Sequence, residues 1–216
     1  MNALKCLRTV MAATLLAGLC LSTATRADDQ SAADAADAIV QKVSGEVLTL
    51  LRHDKDLQAG NTQKLHDLIE TKILPQFDFN RMTALAVGVD WRKANAEQKK
   101  QLVEQFRTLL VRTYSSGLSS YRDQVLEFKP LRSKPTDTDV LVRSEIKQPG
   151  TQPISIDYRM GKSDAGWRIY DVIIGGVSLV TTYRDTFVQE VRQNGIDGLV
   201  KMLSDKNRTL EQAARK

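Results

Sequence analysis

Asp171 is the residue of this chain best suited to acid–base chemistry, because its carboxylate interrupts an otherwise apolar strand pattern. On the inner face of a sheet, next to Tyr158 or Tyr170, it could act as a general base in a cone-shaped pocket. At the rim of a sheet it would instead pair with an arginine such as Arg168 or Arg184. The second arrangement is the commoner one for such a residue.

A glycine pair offers a second possible site. Gly175 and Gly176 precede Val177 and Ser178, where a helix is predicted to begin. Backbone N–H groups at a helix N-terminus can bind a phosphate, including that of a lipid. A tight strand-to-helix turn with Ser178 as the N-cap explains the same residues without a ligand. We favour the turn.

Other reactive side chains are few. His53 and His66 fall on separate predicted helices without acidic metal-ligand spacing around them, so we expect solvated residues and no metal site. The sequence contains no Gly-x-Ser-x-Gly elbow, Walker loop or zinc-type pattern. We therefore predict that the protein is not an enzyme and uses no cofactor.

The first 27 residues have the layout of a secretory signal peptide. Lys5 and Arg8 precede an apolar run over 10–21 that is too short to span a bilayer, and small residues follow up to Ala27. Cleavage after Ala27 would leave 28–216 as a single domain without cysteine, since Cys6 and Cys20 would be removed. The predicted mature protein is secreted.

Removal of the signal peptide changes the charge balance. The whole chain has 31 basic and 26 acidic residues, and three of the bases and none of the acids lie within 1–27. The mature chain would therefore carry a net charge of about +2, with no basic block. This balance argues against a nucleic-acid-binding protein.

Helical periodicity dominates the first half of the chain and returns at its end. Apolar spacing predicts helices over 31–52, 61–74, 80–87 and 95–121. Two more are predicted over 178–193 and from residue 196, separated at Asn194-Gly195, with a polar, frayed tail from Asp205. The fourth helix has an apolar stripe wider than a surface helix needs, so we expect it to be covered on more than one side.

Between these helical regions, alternating apolar and polar residues predict four strands, over 125–132, 139–147, 153–160 and 167–174. Hairpin-length turns at 148–150 and 161–164 connect three of them. The sequence therefore predicts an α+β fold, in which helices pack against one face of a curved four-stranded antiparallel sheet.

Three stretches resemble one protein family. The pattern W-R-I-Y-D-V-x-I-x-G-V-S-L-V-x-x-Y-R-x-x-F extends over 167–187. The second stretch is L-P-Q-F-D-F at 74–79, followed by Met82, Gly88, Trp91-Arg92, Glu97-Gln98, Phe106, Leu109-Leu110 and Tyr114, and the third is G-I-D-G-L at 195–199. The chain resembles the MlaC, or toluene-tolerance, family of periplasmic phospholipid-binding proteins. It departs from the family at Gly175, where many members carry an acidic residue.

The resemblance implies a periplasmic carrier that moves phospholipid cargo and so maintains the lipid asymmetry of the outer membrane. The implied partners are an inner-membrane ABC transporter complex with MCE domains and an outer-membrane lipoprotein–porin complex. The implied fold encloses a deep apolar pocket for the acyl chains, with the head group outside. Nothing in the sequence demands more than a monomer.

Apolar residues on the predicted sheet and helices are the candidates for lining such a pocket. They are Phe79, Met82, Leu85, Phe106, Leu110, Tyr114, Val142, Ile156, Tyr158, Ile169, Ile174, Val177, Val180 and Tyr183. Changing Val142 or Ile156 to Trp is expected to leave the fold intact and reduce bound lipid.

Two other functions fit the sequence. One is an enzyme with a cone-shaped fold of the nuclear-transport-factor-like class, using Asp171 and a tyrosine on a small apolar substrate. The other is a periplasmic chaperone or adaptor that binds protein. Phospholipid that copurifies with the protein would separate the carrier from both.

Overall fold

The computed structural model describes residues 27–119, 124–134 and 136–214. Residues 1–26, which contain nearly all of the predicted signal peptide, lie outside the described part of the chain. None of the helices in the described part is both long enough and apolar enough to cross a membrane.

An antiparallel sheet forms one layer of the fold. Its strands are β1 (Val125–Phe128), β2 (Asp139–Lys147), β3 (Ile154–Ser163), β4 (Gly166–Ile174) and β5 (Val177–Ser178), paired in that order. The sheet thus has five strands where the sequence predicted four. β5 is only two residues long, too short to show as an alternating pattern.

The strand register places the apolar positions on one face. Val142 lies opposite Tyr158, and Ile156 lies between Ser144 on β2 and Ile174 on β4. Partners in an antiparallel pair point to the same side, so these side chains share the face that the helices cover. The register shifts between Arg159 and Met160, where β3 and β4 are locally irregular.

The helices are close to those predicted. They are α1 (Ala27–His53), α2 (Lys55–Gln58), α3 (Thr62–Leu68), α4 (Phe79–Val87), α5 (Ala96–Ser119) and α6 (Leu179–Ala214). The short α2 was not predicted. The helix predicted over 61–74 changes character after α3, because the chain continues as a π-helix over Ile69–Ile73 and a 3-10 turn over Leu74–Gln76.

The C-terminal region matches the prediction in one respect and differs in another. Both predicted helices are present within α6, and the predicted break at Asn194-Gly195 is confirmed at Gly195, whose φ of 71° and ψ of −175° are not helical. The tail from Asp205 is helical as far as Ala214, so the prediction of a frayed end was wrong. Asn207 is buried there and donates from Nδ2 to the backbone oxygen of Gln105 at 2.9 Å.

Buried apolar side chains form three clusters. A helical cluster joins α4, α5 and α6 and includes Phe106, Phe187 and Leu199. A sheet cluster joins the inner face of the strands to Ala36 and Val40 of α1. A third joins the C-terminal half of α1 to α2, α3 and the π-helix. The space between the clusters contains the candidate site.

Candidate functional site

A cavity of about 440 Å³ lies between the sheet and the helices. Strand side chains form one wall, α1 forms a second, and α5 with the π-helix and the start of α4 forms a third. Its described lining residues are Ile39, Val40, Val43, Ser44, Val47, Leu48, Ile69, Ile73, Leu74, Gln76, Phe77, Phe79, Met82, Leu110, Val111, Tyr114, Ser115, Gly117, Leu118, Leu126, Ile146, Ile156, Tyr158, Ile169, Val172, Ile174 and Leu179.

The chemistry of this lining is uniform. None of the described lining residues is Asp, Glu, Lys, Arg or His, although charged residues make up 26% of the whole chain. An apolar wall gives a ligand few directional contacts, so it selects by hydrophobicity and shape. The described lining suits hydrocarbon.

A small hydroxyl cluster is the main polar feature of the wall. The Tyr158 hydroxyl on β3 interacts with the hydroxyls of Ser144 on β2 and Ser44 on α1, and the Ser144 hydroxyl donates to the backbone oxygen of Ile156 at 2.6 Å. Burial raises the pKa of the Tyr158 hydroxyl, and the hydrogen bonds to the two serines partly oppose that shift. The cluster connects α1 to the sheet across the cavity wall.

The π-helix explains how the wall bends around this space. An extra residue per turn widens the helix at Ile69–Ile73, and π-turns occur frequently at functional sites. Both Ile69 and Ile73 line the cavity. The chain then crosses to the sheet, where Phe77 forms an isolated parallel bridge with Ile169.

Asp171 does not line the cavity. Its carboxylate is 4% exposed and accepts hydrogen bonds from the Ser178 hydroxyl at 2.7 Å and from the Val180 N–H at 3.2 Å. The guanidinium group of Arg159 is also near, with its Nε 3.9 Å from the carboxylate. Asp171 therefore fixes the start of α6 to β4.

The predicted arginine partners of Asp171 make other contacts. Arg168 donates to the backbone oxygen of Trp167 at 2.8 Å, and Arg184 donates to that of Leu85 at 2.9 Å. The expected ion pairs with these two arginines were wrong, because the carboxylate points toward the first turn of α6.

The glycine pair forms a turn. Gly175 and Gly176 have φ of 57° and 85°, and they connect Ile174 to Val177 as a two-residue hairpin between β4 and β5. Positive φ at both central residues is the requirement of a type I′ turn, which glycine meets without strain. Ser178 then accepts from the Thr181 N–H at 3.0 Å, as expected of an N-cap.

The two histidines lie apart, on α1 and α3. His66 has a half-exposed side chain, and His53 contacts the backbone oxygen of Thr49 through Nδ1 at 2.9 Å. No group of three His, Cys, Asp or Glu residues could hold a metal ion within the described part of the chain.

Known proteins share this architecture. The family model described as MlaC protein matches residues 41–205, which is most of the chain. The chain belongs to the MlaC family. The match spans the sheet and the helices from the C-terminal half of α1 to most of α6.

Individual MlaC relatives extend the comparison. The intermembrane phospholipid transport system binding protein MlaC of Haemophilus influenzae is 21% identical over 165 residues, covering 75% of this chain and 77% of its own. The toluene tolerance protein ttg2D of Pseudomonas putida is 24% identical over 162 residues, covering 74% of each.

A solved structure is also similar. The phospholipid-binding protein of Ralstonia solanacearum, in complex with a phospholipid, is 40% identical to this MlaC-family chain with a TM-score of 0.76. The match covers 82% of this chain and 98% of that one.

Eight of the predicted lining residues lie on the cavity wall of this MlaC-family protein. They come from α4, α5, β3 and β4, which the sequence patterns had placed correctly. These residues are Phe79, Met82, Leu110, Tyr114, Ile156, Tyr158, Ile169 and Ile174.

The other six lie elsewhere. Leu85, Phe106, Val180 and Tyr183 pack in the helical cluster, where the Phe106 and Tyr183 ring centroids are 5.2 Å apart at 78°. Val142 is fully buried in the sheet cluster, and Val177 on β5 is 59% exposed. α6 packs its apolar face on α5, so most of it faces away from the cavity.

Sequence reasoning missed the contribution of α1. Six of its residues line the cavity: Ile39, Val40, Val43, Ser44, Val47 and Leu48. The apolar spacing of Ile39, Val43 and Val47 was visible in the sequence, but that spacing equally describes a helix packed on an ordinary core. No signal in one sequence separates those two cases.

Proposed function

We propose that this chain is a phospholipid carrier whose cavity holds the acyl chains. The observation that carries the proposal is the uncharged lining of a 440 Å³ cavity between sheet and helices. Burying a CH₂ group stabilises by about 0.8 kcal/mol, so two acyl chains represent gross transfer energy on the order of 20 kcal/mol. A phospholipid that leaves a bilayer loses this burial of its acyl chains. Only an extended apolar wall in the carrier offsets that loss. The phospholipid bound in the Ralstonia solanacearum structure supports the same assignment.

The cellular setting follows from the same proposal. We infer that residues 1–27 are removed as a signal peptide and that 28–216 works in the periplasm as a monomer. It exchanges lipid with an inner-membrane ABC transporter complex bearing MCE domains and with an outer-membrane lipoprotein–porin complex, and so maintains the lipid asymmetry of the outer membrane. Exposing acyl chains to water is very unfavourable. The acyl chains therefore slide from the apolar site of one protein to that of the other while the two proteins are docked. The head group stays outside the pocket.

The enzyme alternative has less support. The carboxylate suggested as general base, Asp171, accepts two structural hydrogen bonds and does not line the cavity. A general base must reach the proton that it removes. We therefore propose a binding protein without catalytic activity, cofactor or metal, and a chaperone or adaptor role remains the outcome to test against.

Native mass spectrometry of the protein purified from cells tests the carrier. We expect masses that exceed the polypeptide by those of diacyl phospholipids, and lipid extraction should identify them. A clean polypeptide mass after gentle purification would contradict the carrier and favour the adaptor.

A matched pair of tryptophan variants places the lipid in the cavity. Ile156→Trp fills space on the cavity wall, whereas Ile154→Trp puts the same side chain two residues earlier on the same strand face, where Ile154 is 52% exposed. Ile156→Trp should remove most of the copurifying phospholipid, and Ile154→Trp should retain it. Equal lipid content in both folded variants would show that the acyl chains lie elsewhere.

The structure also changes the choice of test residue. Val142→Trp was expected to reduce lipid with the fold intact, but Val142 is 0% exposed within the sheet cluster. Inserting a larger side chain there overpacks a filled core and typically costs 1–3 kcal/mol. Reduced lipid in that variant would therefore report on folding.

A further inference from the structure

Helix α1 contributes to two of the three buried clusters. Its N-terminal half contributes Ala36 and Val40 to the sheet cluster, while its C-terminal half contributes Val47 and Leu51 to the cluster with α2 and α3. One continuous helix thus belongs to two separate cores. The helix passes from the sheet cluster to the cluster with α2 and α3 between residues 40 and 47.

Gly45 lies within that change. It is exposed, its backbone is helical, and a Cβ built on it would meet nothing within 4 Å. Neither close approach nor a positive φ requires glycine there. Glycine inside a helix is less favourable than alanine by about 1 kcal/mol, so this position weakens the helix where its two halves meet.

The two halves are held differently. The C-terminal half has an ion pair between Glu46 and Lys72 at 3.2 Å, and Arg52 donates to the backbone oxygen of Gln124 at 2.6 Å. The N-terminal half contacts the sheet through Ala36 and Val40. Ser44, one residue before the glycine, and Tyr158 of β3 both line the cavity, and their hydroxyls interact. This contact lies beside the cavity, where it can act as a latch.

A carboxylate oxygen of Asp37 disfavours the position that the N-terminal half of α1 takes in the structure. One carboxylate oxygen accepts from Gln41 on the same helix. The other, Oδ1, is buried and has no hydrogen-bond partner among the described residues. A buried carboxylate oxygen without a partner is unfavourable, and it would gain water if this part of the helix moved outward.

We propose that residues 36–44 of α1 are a movable cover of the cavity that swings on Gly45 and is latched by Ser44 and Tyr158. Outward movement would withdraw Ile39, Val40 and Val43 from the wall and open the cavity along its length. The cover deepens the proposed carrier function, on which it rests, by giving the acyl chains a sideways route in and out.

Hydrogen–deuterium exchange tests the hinge without using lipid transfer. In the lipid-free protein, amides over 45–48, whose helical acceptors at 41–44 lie across the hinge, should exchange faster than those over 50–53. Gly45→Ala strengthens the helix by about 1 kcal/mol and should slow exchange over 45–48 about fivefold. Equal exchange over 45–48 and 50–53, or no slowing in Gly45→Ala, would overturn the hinge whether or not the protein carries phospholipid.

Lipid transfer tests the functional part. A fluorescent phospholipid loaded on the protein should pass to vesicles of phosphatidylethanolamine and phosphatidylglycerol about fivefold more slowly from Gly45→Ala, and faster from Ser44→Ala. Thr186→Ala strengthens helix α6 at an exposed position and should transfer at the wild-type rate. Wild-type transfer by Gly45→Ala, or equal slowing by Thr186→Ala, would contradict the cover. Wild-type protein that loads no phospholipid would contradict the carrier itself, while the exchange result would still decide the hinge.

Discussion

At the scale of single residues, the polar groups inside this protein serve to join elements. Asp171 connects β4 to the first turn of α6, and Tyr158 connects β3 to Ser44 on α1. Each looked like a candidate catalytic group in the sequence, because a polar residue in an apolar strand has the same appearance in both roles. Their hydrogen-bond partners lie 7–9 residues away for Asp171 and on another element for Tyr158, so the sequence could not show them.

Asp171→Asn is expected to destabilise the fold. An amide cannot accept from both Ser178 and Val180 as the carboxylate does, and a buried donor left unpaired costs about 1–3 kcal/mol. Urea unfolding followed by circular dichroism would measure the change. Asp164→Asn, in the exposed turn after β3, is the control and should stay within about 0.5 kcal/mol. Equal stability of the two variants would contradict the structural role of Asp171.

Tyr158 predicts a pH dependence in the alkaline range. Its pKa is raised above the reference value of 10.0 in the folded state, mainly by burial. The unfolded chain therefore loses this proton first, so the free energy of unfolding should fall as the pH rises through about 10. Urea midpoints between pH 8 and 11 should fall more steeply for the wild type than for Tyr158→Phe. Parallel profiles would show that Tyr158 ionises as easily in the folded protein as in the unfolded chain.

At the scale of elements, periodicity was a good guide to strands and helices and a poor guide to what each one covers. β2 has the predicted bounds, and α4 differs from its prediction by one residue. The apolar stripe of α6, by contrast, packs on α5, and Phe106 and Phe187 meet with ring centroids 5.2 Å apart. Core and cavity wall are both apolar, so only the arrangement of helices around the empty space distinguishes them.

The end of α6 supplies a prediction at this scale. Asn207 is 4% exposed, its Nδ2 donates to the backbone and side-chain oxygens of Gln105 at 2.9 Å, and Arg112 pairs with Glu211 at 3.1 Å. Asn207→Ala should therefore lower the free energy of unfolding by about 1–3 kcal/mol. The exposed Gln212, one turn later, should tolerate alanine.

Thermal or urea denaturation of both variants would check this expectation. The sequence predicted a frayed tail because most of its residues are polar or charged. Nothing in the sequence distinguishes the one asparagine that is buried. If Asn207→Ala and Gln212→Ala were equally stable, the last turns of α6 would contribute nothing to the fold.

At the scale of the whole molecule, the cavity means that the protein without cargo is incompletely packed. Protein interiors normally have few voids larger than a water molecule, whereas this one has about 440 Å³ between its clusters. Filling it with acyl chains adds contacts for the sheet, α1 and α5 together. Cargo should therefore act as part of the core.

Removal of lipid should lower the melting temperature. A ligand that binds only the folded state at 100 times its dissociation constant stabilises by about 2.7 kcal/mol, which corresponds to roughly 5 to 10 °C for a chain of this size. Scanning calorimetry of the protein as purified, after delipidation, and after reloading with phospholipid would measure the shift. The same melting temperature in all three states would contradict binding in the cavity.

The edges of the sheet carry a separate consequence. The two outer strands are the shortest, since β1 has four residues and β5 has two. Unpaired N–H and C=O groups along an edge strand act as a template for pairing with another chain. β1 pairs only with residues 144–147 of β2, and β5 pairs only with residues 173–174 of β4, so the outer edges of both longer strands extend beyond their partners. A protein that must open an apolar interior repeatedly is exposed to aggregation each time it does so. If the proposed opening occurs, strand addition between open molecules is expected at residues 139–143 of β2 and beside the single bridge from Phe77 to Ile169 on β4.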